Sequence, residues 1–135
     1  MLTYLDSGVL IAAAKAKDKW HVPAMKLLDD ETRQFVSSPF LRIETLHITA
    51  YNRYEDQRAF YEYFFQQAGC RFEDAGAAVA KAESLTMQFG VVGLDAMHIA
   101  SALLSQATEF VTTELTDMPF YRMGSLISVR HITQA

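Results

Sequence analysis

The stretch that most restricts the possible folds is the opening one, Leu2-Thr3-Tyr4-Leu5-Asp6-Ser7-Gly8 followed by the alanine-rich run Val9 to Ala14. It reads as a short strand, an acid at its carboxyl end, a Ser-Gly break, and then an apolar helix. Strand patterns alternate with helix patterns along the rest of the chain. A parallel sheet with helices on both faces accommodates such an order. The expected fold is therefore a three-layer α/β/α arrangement around a parallel sheet of four to five strands. Asp6 then sits where the chain leaves the sheet, the edge at which open α/β sheets bind their ligands.

The chain has 135 residues, half of them hydrophobic, which fits one globular domain over 1–135. Its net charge of −4 excludes nucleic-acid binding by bulk charge, so any such contact must be local or carried by metal ions. A single cysteine, Cys70, excludes an internal disulfide framework and fits a reducing compartment. No apolar run approaches the ~18 residues of a membrane span, and the expected location is the cytoplasm. The histidines form no His-x-x-x-His pair and Cys-x-x-Cys is absent, which argues against zinc.

Lys15, Lys17 and Lys19 lead into a helix over about 22–31 with Pro23 in its first turn. They read either as a solvated helix end or, together with Arg42 and Arg53, as an RNA-contacting rim, with Trp20 beside the lysines able to stack on a base. A short strand over 33–37 follows, and Ser38-Pro39 opens a helix over about 39–52 as cap and first residue. On a regular projection Phe40, Leu41, Glu44, His47, Ile48 and Tyr51 share one face, and Arg42, Thr45, Thr49, Asn52 and Arg53 the other. Glu44 thus falls inside an apolar stripe. A carboxylate there costs several kcal/mol unless it is paired or bound to metal, so it is either a buried partner of an arginine or of His47, or part of a site.

The helix over about 55–68 turns Phe60, Tyr61, Phe64 and Phe65 to one face and Tyr63 to the other. With Tyr51 and Tyr54 close by, that is more aromatic surface than one face buries, and it predicts an interface near Tyr63. Gly69 ends that helix, residues 70–72 form a brief strand, and Glu73-Asp74 cap a long helix over about 75–89. After Gly90-Val91-Val92-Gly93 another helix begins at Leu94-Asp95-Ala96-Met97-His98, with Ala96, Ile99, Ala100, Leu103 and Ala107 inward. Asp95 at its amino end reads as a cap or as an acid kept ionised for a metal, and His98 as a satisfied core or supporting residue. The strand over 109–113 ends at Glu114, with Asp117 able to substitute for it, and a last strand over 126–132 lies at an edge.

Asp6, Glu44, Asp95 and Glu114 converging in one cleft would repel each other, so either some stay protonated or a cation lies among them. An all-oxygen set selects magnesium or manganese. Such a site suits phosphodiester hydrolysis, because the metal lowers the pKa of a bound water and balances charge on the leaving oxygen. A phosphohydrolase with Asp6 as covalent nucleophile is disfavoured, since Gly8 stands where its second acid would be.

Taken together, Leu5-Asp6-Ser7, Glu44 within a mid-chain helix, Asp95-Ala96-Met97-His98-Ile99-Ala100 and Phe110-Val111-Thr112-Thr113-Glu114 resemble the PIN domain, especially the VapC-like ribonuclease toxins of bacterial toxin-antitoxin pairs. The resemblance spans essentially the whole chain. It implies neighbouring first and fourth strands and an acid triad of Asp6, Glu44 and Asp95 with Glu114 as fourth acid; Ser7, Thr112 and Asp117 are candidate supporting residues beside them. It also implies a Mg2+- or Mn2+-dependent endoribonuclease acting on RNA, a homodimer, and a cognate antitoxin whose tail fills the groove. One departure is Asp6-Ser7-Gly8 where the family often has Asp-Thr-Asn. Gly8 removes an amide that would orient the site, and this opens an alternative: a catalytically weak or inactive PIN-like module that binds protein through its aromatic surface.

Overall fold

The computed structural model describes residues 1–135. In chain order the elements are β1 (Leu2–Leu5), α1 (Ser7–Ala14), α2 (His21–Leu28), β2 (Gln34–Ser37), α3 (Pro39–Arg42), a π-helical turn (Ile43–His47), α4 (Ile48–Asn52), α5 (Glu55–Gln67), β3 (Cys70–Arg71), α6 (Ala75–Phe89), α7 (Gly93–Leu104), β4 (Glu109–Thr112) and β5 (Ser128–His131). Short 3-10 turns over Pro119–Met123 and Ile132–Gln134 flank β5. All strand pairings are parallel, in the order β3-β2-β1-β4-β5, and helices cover both faces. The three-layer expectation holds, with five strands, and β5 lies at the edge. The order turns back between β1 and β4, whose register pairs Leu5 with Val111. Such a switch point leaves a crevice at the strands' carboxyl ends.

The sheet centre is dry. Tyr4 and Leu5 of β1 and Phe110 and Val111 of β4 are fully buried, and Tyr4 stacks on Phe110 with ring centroids 5.5 Å apart. At the amino end of β4 a buried carboxylate is fully satisfied. Glu109 accepts from the Thr3 hydroxyl at 2.7 Å and from Arg33 Nε at 2.7 Å, while Arg33 also binds Asp30 at 2.7 Å. This cluster ties β1 and β4 to the segment entering β2.

The 39–52 segment departs from the regular projection. Ser38 does cap it, its Oγ accepting from the Leu41 amide at 3.2 Å with Pro39 in the first turn. The π-helical turn then widens the coil and rotates the register beyond it. Thr45 and Thr49 lie buried with Leu41, whereas Ile48 and Tyr51 face out, Tyr51 at 82% exposure. The two threonines tolerate burial because their hydroxyls are satisfied locally, Thr45 donating to the Leu41 carbonyl and Thr49 to that of Thr45. Glu44 consequently sits at the margin of the core rather than within an apolar stripe, its side chain 28% exposed.

Further along, Tyr61, Phe64 and Phe65 are buried and Tyr63 is exposed, as the sequence indicates. Asp74 caps α6 by accepting from the Ala77 amide, but Glu73 instead pairs with Arg42 through two bonds of 2.9 and 2.7 Å. Arg42 is therefore not a free basic group. Trp20 is half-buried, edge-on to His131 at 5.0 Å with Lys19 over its face, which restricts stacking on a base. No single helix is long and apolar enough to cross a membrane.

Candidate active site

The site is built from the carboxyl end of β1. Asp6 follows Leu5 directly, held in place by its own amide donating to the Val111 carbonyl at 2.9 Å, and only 6% of it is exposed. Although it precedes α1, its side chain makes no cap bond to that helix. Instead Oδ2 accepts from the Thr112 hydroxyl at 2.9 Å, and Thr112 Oγ1 in turn accepts from the Glu114 amide at 3.0 Å. Thr112 thereby fixes the rotamer of Asp6 and the backbone of Glu114 together.

Asp95 is not a cap. Helix α7 begins two residues earlier, its N-cap is Val92, and Gly93 takes a positive φ of 57° to start it. With no backbone amide as a partner, the Asp95 carboxylate stands exposed in the first turn, free for another role. Glu44 is bound to His98, whose Nε2 contacts Glu44 Oε1. An arginine or His47 is the partner that the sequence offers Glu44; His98, one turn along α7 from Asp95, takes that place. His98 itself is buried, with Phe40 edge-on to it at 6.4 Å and its Nδ1 2.7 Å from the Tyr4 hydroxyl. Tyr4 Oη is also 2.7 Å from Ser38 Oγ.

The electrostatics set this end of the sheet apart. Burial is the main force raising the Asp6 carboxyl from 3.8 to about 6; nearby Asp95 raises it further, while the Thr112 hydroxyl opposes the rise. Asp95 is also raised, first by desolvation of the part of its carboxyl that neighbours cover and then by the charges of Glu114 and Glu44. All four acids thus act within one field. Glu114 is part-buried, whereas Asp117 is exposed. The contrast with Glu109 is direct: at one end of β4 a buried carboxylate is met by arginine, while at the other Asp6 has no arginine or lysine partner. As the side chains stand, no three His, Cys, Asp or Glu groups enclose a metal position. Of the four acids only Glu44 lines a surface cleft, together with Ile11, Lys15, Ile48 and Tyr54.

Ser7 opens α1 half-buried, and its backbone amide favours the charged form of Asp6. Gly8 has a steric reason that the sequence hides. A Cβ at this position would lie 2.6 Å from Thr113 Oγ1, far inside contact distance. The hydroxyl of Thr113 occupies the space that a longer residue 8 would need. Gly8→Ala is accordingly expected to lower the melting temperature, and Thr113→Ala in the same chain to restore most of the loss; a Gly8→Ala protein that melts like the parent would contradict this packing.

A sequence profile of the PIN domain matches residues 3–123. No curated protein is similar in sequence to a significant degree. Among solved structures, one chain of the Rickettsia felis VapBC2 complex bound to a DNA fragment from its promoter superposes with a TM-score of 0.71 at 14% identity, over 97% of this chain and 98% of that one. Mycobacterium tuberculosis VapC20, a Sarcin-Ricin loop cleaving toxin, does so with a TM-score of 0.68 at 18% identity, over 95% and 98%. At such identities the likeness is one of fold.

Proposed function

The chain belongs to the PIN domain family, and from that footing we propose that it is a divalent-metal-dependent endoribonuclease, the toxin of a type II toxin-antitoxin pair. The observation that carries the reading is Asp6: a carboxyl buried at the β1/β4 switch point, raised to about 6, beside the charge of Asp95 and without a lysine or arginine to balance it. An arrangement that disfavours ionisation is relieved when a cation binds.

The donors fit magnesium or manganese, being hard carboxylate oxygens. Magnesium keeps several waters and takes as few as one or two carboxylates, so a complete protein cage is not required. Asp6 and Asp95 would hold the ion, with Glu44 and Glu114 at its margin. When bound, it supplies a water of lowered pKa and positive charge opposite the leaving oxygen. Thr112 holds Asp6 in one rotamer, the Glu114 amide anchors Thr112, and His98 orients Glu44. The substrate is RNA, and Lys15, Lys17 and Lys19, all exposed, together with exposed Arg53, form its basic rim.

The VapBC2 complex of Rickettsia felis, built of two protein kinds on DNA, supports a cognate antitoxin as partner. We place the protein in the cytoplasm as a homodimer, with exposed Tyr51, Tyr54 and Tyr63 available to protein partners. Those tyrosines also favour a second reading, a binding module without catalysis. Incubation with structured RNA separates the two. The nuclease produces defined fragments with Mg2+ or Mn2+ and none with excess chelator; cleavage that persists in chelator, or no cleavage with either metal, contradicts it.

A further inference from the structure

The hydrogens of a buried chain behind Glu44 can be assigned by counting. The Leu41 amide donates to Ser38 Oγ, and the only other partner of that oxygen is Tyr4 Oη at 2.7 Å. Ser38 is fully buried, so its own hydrogen goes to Tyr4. The Tyr4 hydrogen then goes to His98 Nδ1, which must accept it. A neutral imidazole accepting at Nδ1 carries its proton on Nε2, and Nε2 faces Glu44 Oε1. Every donor points the same way, from the amino end of α3 through β1 and α7 to the carboxylate. The rings are fixed by packing as well, Tyr4 against Phe110 and His98 against Phe40.

From this we infer that Ser38 and Tyr4 are positioning residues, which act through His98 to set its tautomer and aim the Glu44 carboxylate toward the cation proposed above. Without Tyr4 Oη, Nδ1 loses its donor and the imidazole is free to move its proton to that nitrogen. Nε2 would then present a lone pair to Glu44 and no longer hold it. Partners one step behind a metal ligand influence affinity in this way by fixing tautomer and orientation. The inference rests on the metal-site reading, but it concerns residues that no part of that reading requires.

The test combines nitrogen-15 NMR of the histidine rings with Mn2+ titration of the wild type, Tyr4→Phe, Glu44→Gln and the double variant. His98 is expected as the Nε2–H tautomer in the wild type. Tyr4→Phe should weaken Mn2+ binding about 10-fold and have no further effect once Glu44 is glutamine, because its action passes through that carboxylate. Ser38→Ala should act in the same sense, and serves in its place if Tyr4→Phe does not fold. An Nδ1–H tautomer in the wild type, unchanged Mn2+ affinity in Tyr4→Phe, or an equal loss in the Glu44→Gln background overturns the positioning role while leaving the metal site standing. A wild type that binds no Mn2+ instead refutes the site itself and the inference with it.

Discussion

Asp6→Asn is expected to melt about 10 °C above the wild type at pH 8 and to lose RNA cleavage by at least about 100-fold. The stability gain follows from the raised carboxyl. In the folded chain Asp6 keeps its proton up to about pH 6, whereas the unfolded chain releases it near 3.8. Between those values the native state binds more protons, so stability falls as pH rises from about 4 through 6 and then levels off. The span corresponds to about 3 kcal/mol. Asparagine carries no charge and retains an oxygen for the Thr112 hydroxyl, so it avoids that loss. The variant and the wild type should therefore have similar stability at pH 4 and diverge steadily up to pH 7, which urea denaturation across this range would record. Activity moves the other way because an amide is a poor ligand for a hard cation and cannot replace the charge. A substitution that strengthens the fold while removing function is what a carboxylate kept for ligand binding predicts; an Asp6→Asn protein less stable than the wild type at pH 8 would show that Asp6 is structural.

The opposite result is expected at the other end of β4. Glu109→Ala should destabilise the protein by about 3 kcal/mol and leave Mn2+ binding by the folded protein unchanged. Removing this carboxylate strands the Thr3 hydroxyl and deprives Arg33, only 9% exposed, of one of its two acidic partners. Asp30 continues to neutralise Arg33, which keeps the loss toward the lower end of what breaking a buried ion pair costs. Guanidinium unfolding of the variant measures the stability, and a loss under about 1 kcal/mol would mean that the cluster contributes little. Two buried carboxylates joined by one strand thus respond in opposite directions, because one has its counter-charge within the protein and the other does not.

The architecture was legible because strand and helix patterns alternate cleanly and short connections leave few topologies. Asp6 and Glu114 could be placed for the same reason, each following a recognisable strand. Glu44 was found by a projection that the structure then revises. A regular 3.6-residue period put it among Ile48 and Tyr51, but the π-helical turn shifts the register, and those two side chains are exposed. Nothing in composition announces such a turn; the clue was Thr45 and Thr49, each four residues beyond a carbonyl it can bond, which makes burial of a polar residue inexpensive. The partnership of Glu44 with His98 spans 54 positions, so local spacing could not show it. Gly8 looked like a missing amide, whereas the structure reveals it as space taken by Thr113.

In the proposed site, acids from separate elements of the chain serve a single divalent cation. Titration of Mn2+ into the wild type, Asp6→Asn and Asp95→Asn at pH 8, followed by electron paramagnetic resonance, tests it most directly. Saturable binding to the wild type is expected, with loss of at least about 100-fold in affinity in each variant. Equal affinity in all three proteins, or none in the wild type, would contradict it.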